Sequence, residues 1–512
     1  MDDSISLDLY TKLYGNPKIN TPFGIRYIVN ADSTASGYPY KPIEKWIANN
    51  LHQYYSNTHS NAYPGQLMSY CIGLSKNDVR KHCNCSKDDV VIFTGNGCSG
   101  TIVHLIHLMN LKNINKKDYM VLLSVNEHHS NYLPWKNLGC EMEIIDIDKQ
   151  GKIDLSCLVN KLEYARKLNK KIIVSFNATS NVNGVHQETS IINQIVHQYN
   201  GYILWDYAAS APYININMHK NNKNGDFIDA IFISAHKFLG GNGTPGILIF
   251  NQKLINKCDI PFVPGGGTVR FVCSRYQVYS SDIETRETGG TPNIIGSIKI
   301  GLLFNLKQKY INYIQERDTF LVKYVQNKLL NIQNLVLLNP IDNINRLPIF
   351  PIVILDMHYN LVVSLLNDLF GIATRGGISC CSLLAQHILR CDTENQDNIN
   401  NRILKNDGVP GYYGWCRVSF HYTMPNYIVD YIIYAINFVS MYGHLFKSLY
   451  TYIPCKNLWV NNNNTLNWNQ INNSYKNLSN LEDDNCQVIS IKQINKIIKE
   501  NNNLALSMTD TD

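Results

Sequence analysis

Seven short apolar runs, separated by polar or amphipathic segments, dominate residues 90–250. The runs read VVIFT, YMVLLSV, EMEIIDI, KIIVSFNA, YILWDYAA, AIFISAH and GILIF, and helix-like stretches such as 155–169 and 189–200 lie between several of them. This alternation predicts βαβ units and a mostly parallel sheet. Ligands of such sheets gather at the carboxyl ends of the strands. A ligand site is therefore expected where the polar segments TGNG, NEHHSN, NATSN, DYAAS and SAHK follow the runs.

The chain is long enough for more than one domain, with 512 residues of which 45% are hydrophobic. A helical region over 296–333 leads to further strand-like and helix-like segments over 348–440. We expect four parts: an N-terminal segment (1–55) that packs with the small domain, a large domain (56–310), a small α+β domain (311–450) and an Asn-rich tail with little fixed structure (451–512).

Composition narrows the class of protein. The net charge is +6, from 46 basic and 40 acidic residues without a concentrated basic block, so no nucleic-acid partner is expected. No apolar run reaches about 18 residues, so no membrane span is expected. The 14 scattered cysteines and the acidic N-terminus favour a reduced, cytoplasmic location. The HCNC segment at 82–85 lacks a second ligand pair, so no metal site is predicted.

A glycine-rich loop follows the first apolar run. Gly95, Gly97 and Gly100 have the spacing of a dinucleotide-binding fingerprint. That fingerprint needs an acid at the end of the next strand. Glu127 follows that strand but lies in the polar and aromatic cluster NEHHSNYLPW, and some ninety residues precede the loop. The dinucleotide hypothesis therefore stays open but weakly supported.

Lys237 and Asp206 indicate a second cofactor chemistry. Each follows a strand-like run, so both lie at the expected ligand edge. Pyridoxal phosphate chemistry needs a lysine that joins the cofactor covalently and a carboxylate that keeps the pyridine nitrogen protonated. Its phosphate needs backbone N–H groups at a helix N-terminus, which Gly97, Cys98 and Ser99 would supply. Taken singly, the lysine could be a solvated strand end and the aspartate a helix cap.

The sequence resembles class V aminotransferase fold proteins, and among them the cysteine desulfurase-like branch. The resemblance covers about residues 26–440. It implies an α/β fold, the type I fold of pyridoxal phosphate enzymes, with a large domain around a mostly parallel sheet. The motifs occur in the family's order: NADSTASG, YSNTHSNAYPG, FTGNGCSGT, NEHHSNYLPW, ATSNVNG, DYAASAP, SAHK, RETGGTPN, RGGISC and WCRVSF.

The resemblance also implies roles for individual residues. Lys237 resembles the cofactor-linked lysine and Asp206 the partner of the ring nitrogen. His128 resembles the histidine that stacks on the ring, Asn181 an amide that contacts the substrate or the ring, and Ser234 and His236 side-chain phosphate ligands. Thr291 resembles a residue that reaches the phosphate from the partner subunit. Arg417 resembles the guanidinium that clamps the substrate carboxylate. A homodimer is therefore expected.

The segment RGGISCC indicates a sulfur-transfer reaction. In desulfurases of this shape a reactive cysteine lies five residues after an arginine, which corresponds to Cys380 after Arg375, and Arg375 is itself expected to contact the substrate. The thiolate would take sulfur from L-cysteine and leave alanine and an enzyme persulfide. Cys381 is the alternative nucleophile. An ordinary buried thiol or a regulatory vicinal disulfide remains open.

Some positions depart from the family pattern. Ala209 stands where many desulfurases have a glutamine that donates to the ring oxygen, the turn after Lys237 is longer, and Ile378 stands where a histidine could precede the cysteine.

The leading hypothesis is a cysteine desulfurase that passes sulfur to an acceptor protein. The alternatives are a selenocysteine lyase, another lyase, an epimerase or an aminotransferase without a catalytic cysteine, and a non-catalytic relic of the fold.

Overall fold

The computed structural model describes residues 3–113, 115–255, 260–340, 342–343, 345–463 and 489–509. Its α-helices are α1 (Ser4–Thr11), α2 (Lys41–Asn50), α3 (Tyr63–His82), α4 (Gly97–Leu108), α5 (His129–Leu138), α6 (Leu155–Lys167), α7 (Thr189–Gln198), α8 (Ile283–Arg286), α9 (Ile294–Leu329), α10 (Tyr359–Phe370), α11 (Ser382–Ile388), α12 (Thr393–Leu404), α13 (Asn426–Tyr442) and α14 (Ile491–Thr509).

The strands divide between two main sheets and several short pairs. They are β1 (Lys18–Thr21), β2 (Gly24–Tyr27), β3 (Val29–Asn30), β4 (Asp89–Thr94), β5 (Tyr119–Ser124), β6 (Glu141–Ile145), β7 (Lys171–Asn177), β8 (Tyr202–Asp206), β9 (His219–Asn221), β10 (Asp226–Phe227), β11 (Ala230–Ser234), β12 (Gly246–Asn251), β13 (Val269–Val272), β14 (Gln277–Tyr279), β15 (Leu335–Leu337), β16 (Ile349–Ile354), β17 (Ile372–Ala373), β18 (Arg375–Gly377), β19 (Trp415–Ser419), β20 (Tyr450–Ile453) and β21 (Leu458–Asn461).

The central sheet has seven strands in the order β4-β12-β11-β8-β7-β5-β6. These are the seven apolar runs of the sequence. All pairs from β11 to β6 are parallel, whereas β12 runs antiparallel to both of its neighbours. Every residue of β5 and β11 is buried. Helices cover both faces of such a sheet, which explains why its strands read as continuous apolar runs.

A second sheet has the order β15-β16-β19-β18 and is antiparallel. Helix α10 packs against it, and α13 packs against α10. The long helix α9 links the two sheets and runs without interruption through the boundary expected between residues 310 and 311. The side chain of Asn293 starts this helix by accepting a hydrogen bond from Gly296 N at 2.9 Å. The predicted α/β fold, with a mostly parallel sheet, is confirmed.

The N-terminal segment contacts the second half of the chain. Strand β3 pairs in parallel with β17, so that Val29 lies opposite Ile372. Arg26 is buried and donates from Nε to the carbonyl oxygen of Leu369 at 2.5 Å. Residues far apart in sequence thereby meet beside β18 and β19.

The expectation of little fixed structure in the tail is wrong for two of its segments. Strands β20 and β21 form a hairpin, and α14 is a helix of 19 residues. Ile494, Ile497 and Ala505 are buried on one face of α14, while Asn501 hydrogen-bonds Leu369 O at 2.7 Å. The asparagine-rich composition masked this helical periodicity. Residues 464–488 of the predicted tail lie outside the described residues.

Within the described ranges, none of the helices combines the length and the apolar character needed to cross a membrane. In the same ranges, His, Cys, Asp and Glu side chains do not gather in threes as metal ligands would.

Candidate active site

A cavity of about 230 Å³ opens at the carboxyl edge of the central sheet. It lies where α4, the segments that follow β7, β8 and β11, and the strands β18 and β19 meet. The residues that line it are Thr34, Ala35, Asn96, Cys98, Ser99, His128, Ser130, Asn177, Thr179, Asn181, Asp206, Ala208, Ala209, Ser234, His236, Lys237, Arg375 and Arg417.

Lys237 and Asp206 share this cavity. Asp206 ends β8, and its backbone pairs with Phe232 of the neighbouring parallel strand β11, whose chain continues into the turn that carries Lys237. The buried carboxylate of Asp206 accepts a hydrogen bond from Ala208 N at 2.8 Å, which fixes its orientation. The two groups therefore lie on the same edge of the sheet, as the cofactor hypothesis requires.

The surroundings of Lys237 favour its neutral amine. Burial is the largest cause that lowers its pKa, and the positive charges of Arg417 and Arg375 act in the same direction. Asp206 and Cys98 oppose that shift. A lowered pKa leaves more of the amine neutral at a given pH, and only the neutral amine can act as a nucleophile or accept a proton.

The N-terminus of α4 forms a cradle beside the cavity that could hold an anion. Gly97 begins the helix with φ +58°, and a Cβ added there would lie 2.7 Å from Ser234 Oγ. Cys98 N donates to that same hydroxyl oxygen at 3.0 Å, and His236 lies beside Gly97. Backbone N–H groups and the helix dipole attract a phosphate at such a position. The glycine loop is thus built for close approach to an anion.

His128 caps the N-terminus of α5. Its Nδ1 accepts a hydrogen bond from Ser130 N at 3.1 Å, so the neutral ring carries its proton on Nε2. Below it, the buried carboxylate of Glu127 accepts from Ser124 Oγ at 2.6 Å and from Asn131 Nδ2 at 2.7 Å. Burial raises the pKa of Glu127 to about 8. This buried network holds the polar segment NEHHSN against the sheet.

Arg375 and Arg417 project into the cavity from adjacent antiparallel strands. Arg375 of β18 and Arg417 of β19 lie directly opposite each other, so their side chains lie on the same face of the sheet. The guanidinium of Arg417 donates from Nη2 to Asp32 Oδ1 at 2.6 Å and from Nη1 to the carbonyl oxygen of Asn181 at 3.0 Å. Its Nε is buried without a hydrogen-bond partner.

The loop that carries Cys380 has an unusual backbone. Ser379 and Cys380 have φ angles of +54° and +55°, in the left-handed region that non-glycine residues rarely adopt. Three neighbours hold this conformation. Asn181 Nδ2 donates to Ser379 O at 2.9 Å, Trp415 Nε1 donates to Ser379 Oγ at 3.2 Å, and His129 N donates to Cys380 O at 2.8 Å.

The two adjacent cysteines have opposite environments. Hydrogen bonding to His128 and His129, aided by the charge of Arg375, lowers the pKa of Cys380 to about 5 against the opposing effect of burial. Cys381 is fully buried, and its Sγ donates to the carbonyl oxygens of Asn126 and Glu127 at 3.3 Å each. Burial raises the pKa of Cys381. Of the two, only Cys380 is set up to be a thiolate at neutral pH.

Several buried polar atoms around the cavity have no protein partner. They include Asn177 Oδ1, Asn181 Oδ1 and Arg417 Nε, all on residues that line it. Buried polar groups in folded proteins are nearly always hydrogen-bonded. Together with the lysine, the carboxylate and the anion cradle, these atoms fit a polar ligand with a phosphate and a ring.

The sequence-based site residues are mostly brought together. Three of them do not line the cavity. Gly97 and Cys380 adjoin it, since Gly97 precedes the lining residue Cys98 and Cys380 contacts the lining residue Arg375. Thr291 is exposed and accepts a hydrogen bond from Asn57 Nδ2 at 3.0 Å. Ala209, which stands where many desulfurases have a glutamine, lines the cavity. The sequence reasoning missed cavity residues that include Thr34, Asn96, Ser130, Asn177 and Thr179.

Asp32 was also missed. It belongs to the motif NADSTASG, which also contains the cavity residue Thr34. A carboxylate in that motif was a signal in the sequence, but it does not indicate which side chain the carboxylate contacts. Only the fold brings its side chain to Arg417, 385 residues later.

Known proteins resemble this chain in sequence and in fold. A probable cysteine desulfurase of Borreliella burgdorferi is 27% identical over 409 residues, which cover 76% of this chain and 93% of that protein. A probable cysteine desulfurase of Halalkalibacterium halodurans is 25% identical over 363 residues, or 70% of this chain and 85% of that one. The apo structure of a cysteine desulfurase from Thermococcus onnurineus matches with a TM-score of 0.64 and 22% identity, over 79% of this chain and 93% of its own, which shows a shared fold.

The family model described as aminotransferase class-V matches residues 29–432. That range contains the seven strands of the central sheet, the second sheet and every residue that lines the cavity. It leaves out the hairpin of β20 and β21 and the helix α14. The family that the ten motifs predicted is confirmed, and the chain belongs to the aminotransferase class-V family.

Proposed function

We propose that this protein is a pyridoxal phosphate-dependent cysteine desulfurase, which removes sulfur from L-cysteine and leaves L-alanine. The observation that carries the proposal is the environment of Cys380. Its pKa is lowered to about 5, and its sulfur lies 3.0 Å from Nη2 of Arg375, which lines the cavity together with Lys237 and Asp206. The curated relatives named above are probable cysteine desulfurases, which supports the same reaction.

The residues of the cavity fit pyridoxal phosphate. Lys237 would join it covalently, Asp206 would hold the ring nitrogen protonated, and the N-terminus of α4 with Ser234 and His236 would bind the phosphate. When bound, this cofactor supplies an electron-accepting ring that weakens the bonds at the amino acid's Cα. The unpartnered polar atoms of the cavity support the fit.

The side chains of this protein would supply the proton transfers and the orientation. His128 lines the cavity, and its neutral ring carries the proton on Nε2 because Ser130 N donates to Nδ1. Lys237, whose pKa is lowered by burial, can take the Cα proton as a neutral amine. Arg417 would bind the substrate carboxylate, since a guanidinium matches the planar geometry of that group.

Cys380 would perform the sulfur transfer. Its thiolate forms an S–S bond with the substrate sulfur while the substrate Cβ–S bond breaks. The electron pair of the broken bond passes to the substrate carbon, which takes up a proton and becomes the methyl group of alanine. The persulfide that remains on Cys380 must then pass its sulfur to an acceptor, for which a protein with a reactive thiol is suited.

The experiment compares single variants incubated with L-cysteine. We expect Cys380→Ala to keep the visible absorbance of the lysine-linked cofactor but to release sulfide at least about 10³-fold more slowly. Mass spectrometry of the wild-type protein should find one added sulfur on the peptide that contains Cys380. Lys237→Ala should lose both the absorbance and the activity.

Cys455→Ala is the matched control, because Cys455 is an exposed thiol far from the cavity residues in sequence. It should leave sulfide release unchanged. Undiminished sulfide release by Cys380→Ala would overturn the role of this cysteine and favour a lyase that acts without it. A wild-type protein that neither binds pyridoxal phosphate nor forms alanine would overturn the whole proposal.

A further inference from the structure

The hairpin of β20 and β21 lies beyond the residues that match the family model, yet it contacts segments that lead into the candidate active site. Tyr452 Oη accepts a hydrogen bond from Val409 N at 3.2 Å, and a Cβ added at Gly408 would lie 2.6 Å from the same oxygen. Asn457 contacts Tyr359 at the start of α10. The hairpin therefore touches both α10 and the segment that precedes β19.

Strand β18, which begins with Arg375, has little rigidity of its own. It is three residues long, it lies at the edge of the second sheet, and its other residues are Gly376 and Gly377. An edge strand has a hydrogen-bonded neighbour on one side only, and glycine has more backbone freedom than any other residue. The left-handed turn of Ser379 and Cys380 follows after one further residue. The strand and the turn therefore depend on what packs against them.

The first turn of α10 packs directly on the backbone of this strand. A Cβ added at Gly376 would clash with Asn360 Oδ1 and lie 3.1 Å from Tyr359 Cδ2. A Cβ added at Gly414, next to the first residue of β19, would lie 2.7 Å from Tyr359 Cε1. No side chain separates α10 from the backbone at these two glycines. Because such close packing leaves no slack, a displacement of Tyr359 or Asn360 would also displace β18.

Asn457 fixes both of these α10 side chains. Its Nδ2 donates to Tyr359 Oη at 2.9 Å, and its carbonyl oxygen accepts a hydrogen bond from Asn360 Nδ2 at 2.5 Å. Its own amide is held in turn, since Tyr452 Oη donates to Asn457 Oδ1 at 2.9 Å. Asn457 has a φ of +48°, a left-handed conformation in which asparagine is favoured among non-glycine residues. The turn of the hairpin thus holds the part of α10 that supports β18.

We propose that the β20–β21 hairpin positions Arg375 beside Cys380, with Asn457 as the positioning residue through which it acts. The contacts run from Asn457 to Tyr359, from Tyr359 to Gly376, and along β18 to Arg375, whose Nη2 lies 3.0 Å from the sulfur. The use of that sulfur in catalysis rests on the function proposed above. The positioning itself concerns the protein alone and can be measured without a cofactor.

The test measures the pH midpoint of iodoacetamide labelling at Cys380 in the cofactor-free protein. The ionisable groups that act on this sulfur are Arg375 of β18 and, beside the N-terminus of α5, His128 and His129. A guanidinium that moves away from the sulfur stabilises the thiolate less, so the midpoint rises. Because glycine adopts the left-handed turn freely, Asn457→Gly removes the side chain and keeps the backbone.

We expect Asn457→Gly and Tyr359→Phe each to raise the midpoint by about 0.5–1 pH unit. The double variant should rise no further, because both changes remove the same hydrogen bond. Tyr359→Phe keeps the aromatic ring and is the second route to the result if Asn457→Gly does not fold. Thr451→Val is the matched control: it removes an exposed hydrogen bond of the same hairpin, from Thr451 Oγ1 to Asn462 Oδ1, and should leave the midpoint unchanged.

A combination with Arg375→Gln separates this role from a general loosening of the fold. Once the guanidinium is absent, Asn457→Gly should not change the midpoint further. A further rise in that background, additive shifts in the double variant with Tyr359→Phe, or no rise in either single variant would overturn the proposal. If the wild type forms no alanine from L-cysteine, the proposed function fails, while the labelling of Cys380 still decides the role of the hairpin.

Discussion

Arg375 Nη2 and Cys380 Sγ lie 3.0 Å apart, although their backbones belong to different elements, a strand and a left-handed turn. The contact places a permanent positive charge beside the sulfur that would carry out the transfer. His128 and His129 also lower the pKa of this thiol. Three side chains from two distant segments therefore stabilise one thiolate.

The pH dependence of alkylation reports this stabilisation. The pKa of Cys380 is lowered from 9.0 to about 5, so the thiolate dominates at neutral pH and is lost as the pH falls through about 5. We expect the rate of iodoacetamide labelling at Cys380 to have its midpoint near that pH. Peptide mapping of labelled protein at a series of pH values measures it.

His128→Gln and Arg375→Gln should move this midpoint upwards, because each removes a group that favours the charged sulfur. Cys381 should remain unlabelled in the folded protein, since its thiol is buried and donates to two carbonyl oxygens. A midpoint near 9 in the wild type would contradict the role given to the histidines and Arg375.

Substitution of Gly97 should weaken phosphate binding. Alanine at a φ of +58° costs about 1–2 kcal/mol, and its Cβ would lie 2.7 Å from Ser234 Oγ. We expect Gly97→Ala to raise the Kd for pyridoxal phosphate about tenfold or more, as measured by titration of the visible absorbance. Gly73→Ala is the matched control because a Cβ there meets nothing within 4 Å, and unchanged affinity in Gly97→Ala would count against the cradle.

Loss of the Asn501 side chain should destabilise the fold. Its amide donates to Leu369 O and accepts from Arg26 Nη2 at 3.2 Å, so Asn501→Ala leaves a buried guanidinium short of a partner. We expect the free energy of unfolding to fall by about 1–3 kcal/mol in urea titrations. The exposed neighbour Asn503 offers the control, and Asn503→Ala should change stability by less than about 0.5 kcal/mol.

A homodimer should complete each site with Thr291 of the other subunit. The exposed position of Thr291, outside the cavity of its own chain, suits that role. Light scattering should give twice the chain mass of 58.4 kDa. Thr291→Val and Lys237→Ala should each lower activity, and mixing the two unfolded and refolded variants should restore part of it if subunits share residues.

Mixed dimers of that kind contain one site with both defects and one site with neither. Activity that stays at the level of the separate variants after mixing would show that Thr291 does not serve a neighbouring subunit. Refolded wild-type protein sets the recovery that the procedure allows.

The sequence was sufficient to predict the strands of the central sheet and the residues at their ends. Burial on both faces imposes continuous apolar runs, and the ligand edge collects groups such as Lys237 and Asp206. The antiparallel insertion of β12 between β4 and β11 could not be predicted, because strand order depends on tertiary packing.

The parts of the site that sequence reasoning missed depend on contacts between distant segments. Asp32 meets Arg417 only because β3 pairs with β17 beside β19. The helix α14 was missed for a different reason: an asparagine-rich composition was given more weight than the periodicity of its isoleucines.

The left-handed turn at Ser379 and Cys380 has an energetic consequence. Each non-glycine residue in this conformation costs about 1–2 kcal/mol, so the isolated segment would not adopt it. Asn181, Trp415 and the backbone N–H of His129 offset that cost. The placement of the sulfur therefore depends on residues outside its own loop, and loss of any of the three donors would favour an extended backbone at Ser379 and Cys380.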